Sequence, residues 1–529
     1  MKRAHSAAVT RTLLVFTLAA ASCGGRKELW DNAPGQMVAH AFDDAAVLVD
    51  TSGERALVLA VEEDLTLAPA SVPIGRGFAA AAMTVDRKTL AVLTRGDVPR
   101  EKADDQGPSL SLLQAGTDPG LLRSYDLGDP LSGLAIDPES RFAVVYPAAS
   151  DYSFVANPNE LSIVDLTAPE SPNNPVPLTL RSFGGRPQSF VFTPTLGIPG
   201  GARRLLAVLT DRDVGIIDLA APEKGDITVK LSSSGERKTP AQIAVSDGDP
   251  SVADDARLAV RIENDPSVVL VDLLPSAGGS AHDFRPTPNL VFAGGVPSDV
   301  AFVNTDGGLR LAALVPAKGV MTLIDPATGI PSSVDLGAPF ERMSIVTGIV
   351  GASEQGADAA LLWSSSSSVI AFVALGSTVG KPYKSVELLT LEQPISGVID
   401  VPAPNDHLRI LAGADARSFF VLDLLARTAS PIVASAGASV NVAPDGLRAW
   451  MLAPYQSVIA ALDLESLHPK NLILQHPVAA AFDVRRRDGG RALVAVHQQT
   501  NYGITVLDGA DPSLETEVSY SSVLLGELQ

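Results

Sequence analysis

The side chains best suited to chemistry are few and far apart. Seven histidines stand at positions 5, 40, 282, 407, 468, 476 and 497. None sits in an H-E-x-x-H motif, and they do not gather into the three or four close ligands that zinc needs. Cys23 is the only cysteine, so no internal disulfide can form. G-x-S-x-G would announce a serine nucleophile and G-x-x-x-x-G-K-[ST] a phosphate-cradling loop. The sequence contains neither, and Gly75-Arg76-Gly77 is a lone fragment expected in a turn.

Three constellations remain. Asp247-Gly248-Asp249 followed by Asp254-Asp255 is the best candidate for a cation, since calcium takes several hard oxygen ligands from a flexible acidic loop. Its spacing is not that of an EF-hand, and a solvated loop between two strands explains the same residues, so no metal ligand is assigned. His497 closes the run Val494-Ala495-Val496 and is read as a polar cap at a strand end rather than an acid-base group. Arg485-Arg486-Arg487 lacks the interleaved aromatic residues of a nucleic-acid surface and is read as a solvated hairpin tip. No catalytic or cofactor-binding residue is assigned.

The chain of 529 residues carries 60 acidic and 40 basic side chains, a formal net charge of −20. Lys2, Arg3 and Arg11 accompany the apolar run from Leu13 to Ala21 with no acid nearby, the composition of a signal peptide. Removing those three positive charges takes the net charge from −20 to −23. A surface so acidic disfavours nucleic acid and anionic headgroups as partners.

The residues Leu18-Ala19-Ala20-Ala21-Ser22-Cys23-Gly24-Gly25 resemble the lipobox of bacterial lipoproteins, with Ala20 where that family more often has Leu. The resemblance implies that residues 1–22 are a lipoprotein signal peptide and that Cys23 becomes the lipidated first residue. Residues 23–36 would then be a short tether ahead of a domain over 37–529. The expected location is the bacterial outer membrane or cell surface. Attachment would be through the lipid alone, because no later segment reaches the about 20 apolar residues of a spanning helix.

The elements that would position any site are legible as a repeat. A short apolar run ending in Asp recurs at Asp165, Asp218, Asp272, Asp325, Asp423, Asp463 and Asp508, with steps of 53, 54, 53, 98, 40 and 45. Val369 to Leu375 is the same run with Ala374 in the Asp position, and it splits 98 into 49 and 49. Leu110 to Gln114 and Leu57 to Glu62 extend the series backwards to ten units of roughly 50 residues. Each period holds a Gly- or Pro-led first strand, a second strand, the marker strand and a more polar fourth strand. No stretch sustains helical periodicity. Four short strands per period are the pattern of a β-propeller blade. The marker Asp is expected to end its strand by capping the following turn.

Ala443-Pro444-Asp445-Gly446-Leu447-Arg448 and the marker runs resemble the repeats of YVTN and WD40-like surface propellers. That resemblance implies an all-β propeller of four-stranded blades, with about 8–10 units. Ten units could form one large ring, a smaller ring with degenerate flanks, or two rings; one ring is favoured. The expected function is a lipid-anchored scaffold binding an envelope or extracellular protein. The alternative is a propeller hydrolase such as a lactonase, with its site at the central channel. A subunit of outer-membrane protein assembly is a third reading. The hydrolase would need carboxylates or histidine on segments leading into the first strands. Those segments, such as Pro130-Leu131-Ser132-Gly133 and Pro394-Ile395-Ser396-Gly397, are mostly small and apolar.

Overall fold

The computed structural model describes residues 37–521 other than 117, 150, 152–154, 156, 181–184, 233–235, 237, 248–251, 253–254, 348–358, 378–381, 416–417, 434–437, 454 and 499–502. Residues 1–36, with the expected signal peptide, Cys23 and the tether, lie outside them.

Every marker run is the third strand of a four-stranded antiparallel sheet, and the described residues form ten such sheets. They occupy residues 37–73, 78–126, 133–179, 187–229, 240–292, 299–335, 342–390, 395–433, 439–473 and 478–520, numbered here as blades 1 to 10. Within each, the strands pair in chain order from first to fourth. In blade 4 an extra hairpin, Leu196–Ile198 with Gly201–Arg203, stands between the first and second strands.

Burial follows the order of the strands. Second strands such as Ala45–Asp50, Leu205–Thr210 and Ala359–Ser364 are buried at every residue, because both faces of a blade pack against neighbours. Fourth strands are the most exposed, and Pro331–Asp335 buries only Val334. First strands are half-buried, as in Phe78–Met83. Its central four residues are all Ala, small enough for inner strands to converge on a channel.

Ten apolar clusters lie between the blades, each joining one blade to the next. The cluster that holds Leu48 and Leu59 of blade 1 also holds Val484, Val494 and Val506 of blade 10. The ring is therefore closed and single. No strand is exchanged across the joint, since blades 1 and 10 each consist of four consecutive strands.

Six marker carboxylates behave as turn caps. Asp165, Asp218, Asp325, Asp423, Asp463 and Asp508 each accept from the backbone N–H two residues on, at 2.7 to 3.1 Å. Asp272 departs from this, because its strand runs on to Pro275 and its carboxylate takes the Arg257 Nε–H at 2.6 Å. The turn at Pro444 also forms as its residues require. Gly446 has φ 68°, and a Cβ there would lie 2.3 Å from the Pro402 carbonyl of blade 8.

Candidate functional site

The residues singled out by type fall in separate places. His497 is buried at the end of a second strand of blade 10. Its Nδ1 lies 3.1 Å from the His476 carbonyl oxygen and its Nε2 2.7 Å from Thr505 Oγ1. The carbonyl can only accept, so Nδ1 carries the proton and Nε2 accepts from the Thr505 hydroxyl. Burial, the main cause, holds the imidazole below its usual pKa. Both nitrogens are engaged, which makes His497 the strand cap expected of it.

Asp247 accepts the Gly197 N–H at 2.9 Å through one carboxylate oxygen. Gly248, Asp249 and Asp254 lie outside the described residues. Among the described residues no group of three or more His, Cys, Asp or Glu is placed to hold a metal ion.

The polar groups on the lead-in segments are engaged within a blade or between blades. Ser132 Oγ donates to the buried Asp151 carboxylate at 2.6 to 2.7 Å. Asp299 accepts from Gln242 Nε2 at 2.6 Å and from the Met343 N–H at 2.9 Å, spanning blades 5, 6 and 7.

The arginine triplet stands, as expected, at a solvent-exposed hairpin tip, between the first and second strands of blade 10. The sequence did not show that this tip also lies against blade 1. The Arg485 N–H donates to the Asp43 carbonyl at 2.6 Å, and the Arg487 N–H to the Val61 carbonyl at 3.0 Å. The Arg485 guanidinium pairs with Asp43 at 2.8 Å, and Arg487 with Glu62 at 2.6 Å. Arg491 pairs with both Asp483 and Asp43. This is the clasp of the closing joint. The missed signal lay in blade 1, whose turns carry Asp43, Asp44, Glu62, Glu63 and Asp64 as a complement to the triplet.

Beside the clasp a cavity of about 460 Å³ opens in the channel. It lies at the far mouth, where first strands end, opposite the lead-in segments. Its wall runs from Met83 of blade 2 through blades 1, 10 and 9 to Ile399 of blade 8. Eight of the fourteen wall residues are apolar, including Val85, Val440 and Phe482, while polar atoms make up nearly half of the wall surface. The polar members are His40, Thr84, Arg87, Asn441, Trp450 and Asp483.

Arg87 is held there by a strained turn, with its own φ at 55°. Its Nε donates to the Ala41 carbonyl at 3.3 Å, and its Nη2 to the Phe42 and Asp483 carbonyls at 3.2 Å each. Among the described residues it forms no ion pair. Burial is the main cause that pushes its pKa down; the positive Arg491 adds to this, and Asp43 and Asp483 oppose it. Burial likewise pushes Asp483 up and His40 down. The His40 imidazole is thus neutral at pH 7. Thr84 is closed to outside partners, its hydroxyl donating to Asp86 at 2.7 Å. His40 Nε2 and Trp450 Nε1 are sealed from solvent and have no hydrogen-bond partner. A charge, an amide and an imidazole in an apolar wall are the makings of a binding site.

No protein-family model matches the chain, and none of the curated proteins compared does. Several solved structures are similar to it. Dihydro-heme d1 dehydrogenase NirN in complex with DHE is 10% identical, over 85% of this chain and 80% of that one, with a TM-score of 0.40. Apo AztD from Citrobacter koseri is 13% identical, over 73% and 95%, at 0.36. BBS1N in complex with ARL6DN is 11% identical, over 67% and 91%, at 0.35. Likeness this distant says nothing of ligand or partner, and the architecture stands on the sheet topology.

Proposed function

We propose that the chain is a lipid-anchored envelope or cell-surface propeller that serves as a protein-binding scaffold. The observation that carries this reading is an apolar surface on blades 8 and 9. Val433, Tyr455 and Ile473 are 84%, 79% and 67% exposed. Beside them a groove of about 210 Å³ is lined by Val433, Met451 and Val458. Exposed apolar surface of this kind marks interaction sites. Val433 and Ile473 end fourth strands and Tyr455 lies in the connection between the second and third strands of blade 9, all on the lead-in face with Met37, where the described residues begin. A 14-residue tether from Cys23 could extend up to about 50 Å, enough to leave that face accessible.

Crosslinking in intact envelopes tests the scaffold. The wild-type chain is expected to yield a discrete crosslinked complex that is lost in the Val433→Asp, Tyr455→Asp double variant. No complex, under conditions that retain other envelope assemblies, would sink the proposal. The anchor is tested separately: radiolabelled palmitate should enter the wild-type chain and be absent from Cys23→Ser.

A further inference from the structure

We propose that the cavity at the far mouth of the channel binds a small organic acid, with an apolar body against the blade walls and one carboxylate directed to Arg87. This goes beyond the scaffold reading and does not depend on it.

Size and composition come first. A cavity of about 460 Å³ falls within the ~300–1,000 Å³ of small-molecule sites. Eight of its fourteen wall residues are apolar, among them Met83, Val85, Ile399, Val440 and Phe482, which gives a hydrocarbon or ring a surface that an inorganic ion would not use. A phosphate would want several converging N–H donors or cations, and the wall offers a single guanidinium.

Charge selects the sign. The acid of the wall, Asp483, already has Arg491 as its partner. Arg87 has backbone carbonyls alone, and no carboxylate. Asp43 and Asp483 favour its charge only through space; a half-buried guanidinium is better served by a carboxylate in contact, and a ligand would supply one. Trp450 adds an independent mark. It is fully buried, it borders the cavity, and its Nε1–H has no acceptor. An unsatisfied donor of this kind is costly in a folded protein.

The test uses the full-length chain and three probes of one carbon skeleton: hexanoate, hexanol and hexylamine. Equilibrium dialysis should show hexanoate bound at one per chain, about tenfold tighter than hexanol, and hexylamine not bound. Val85 is 66% exposed, so substitutions there leave the fold intact. Val85→Glu should weaken hexanoate by about tenfold and leave hexanol unchanged, while Val85→Lys should strengthen hexanoate. Arg87→Lys should retain the preference for the acid and Arg87→Met abolish it, with unchanged circular dichroism showing that the ring persists. Equal binding of hexanol and hexanoate, no binding of either, or an unaltered affinity in Val85→Glu would each overturn the proposal.

Discussion

Two ionisable pairs show how the same ring uses carboxylates in opposite senses. Asp137, at the first turn of blade 3, is buried, and burial pushes its carboxyl up. The Arg204 guanidinium of blade 4, the N–H groups of Glu139 and Phe142, and the charge of Arg204 outweigh this and hold it below the usual range. Arg204 grips both oxygens, at 2.6 and 2.5 Å. Its contribution is present above the unfolded pKa and lost as pH falls through the lower folded value. Arg204→Met should cost about 3–5 kcal/mol by stranding the buried carboxylate, read as a lowered thermal midpoint at pH 7. Glu160 behaves in reverse. Burial first, then its hydrogen bond to Asp129, raises its pKa from 4.5 to about 7. This pair's stabilisation is complete below the unfolded value and disappears as pH rises through about 7. Glu160→Gln should therefore raise the midpoint at pH 8 and change it little at pH 5. A midpoint at pH 8 no higher than wild type would count against the shared proton.

Among the elements, the third strands were legible because an apolar run closed by Asp is both a burial signal and a turn signal, and all ten fall where the spacing put them. What the spacing concealed is the partner that the marker Asp recruits. Arg203, Arg257 and Arg310, near the starts of second strands, reach Asp218, Asp272 and Asp325 at 2.7, 2.6 and 3.6 Å. These pairs cross from one strand to the next, and distance along the chain does not display them. The cavity was missed for a similar reason. Expectation fell on the lead-in segments, whereas His40, Arg87, Asn441 and Asp483 stand at or just beyond the other ends of the first strands and come from four different blades. The acidic loop and the lipobox lie wholly or partly outside the described residues, and the structure does not bear on them. The outer strands carry a further device: six of the ten contain proline. In Phe284–Phe292, Ala293 donates to the Pro266 carbonyl, so alternation points positions 286 and 288 away from the sheet. Both are Pro, which removes two donors that another edge could use. Pro286→Val with Pro288→Val should promote self-association, visible as a rise in light scattering at concentrations where the wild type stays monodisperse.

At the scale of the ring, the joint between blades 10 and 1 combines an apolar cluster with ion pairs from Arg485, Arg487 and Arg491 to Asp43 and Glu62. A single apolar interface would close the ring without regard to salt. This one should respond to it, because exposed pairs are screened. Arg485→Glu with Arg487→Glu sets like charges against blade 1 and should lower the thermal midpoint; added salt should recover part of the loss. An unchanged midpoint would show that the apolar cluster closes the ring unaided. The closure has a consequence for how such a molecule is made and altered. Because every blade is complete on its own stretch of chain, its strand pairings need no distant strand, although its faces are buried only once the neighbouring blades are in place. For the same reason, one contiguous gene segment equals one blade. Duplication or loss of such a segment changes the circumference while leaving all other strand pairings intact, and the new terminal blades need only preserve the arginine hairpin at one end and its acidic turns at the other.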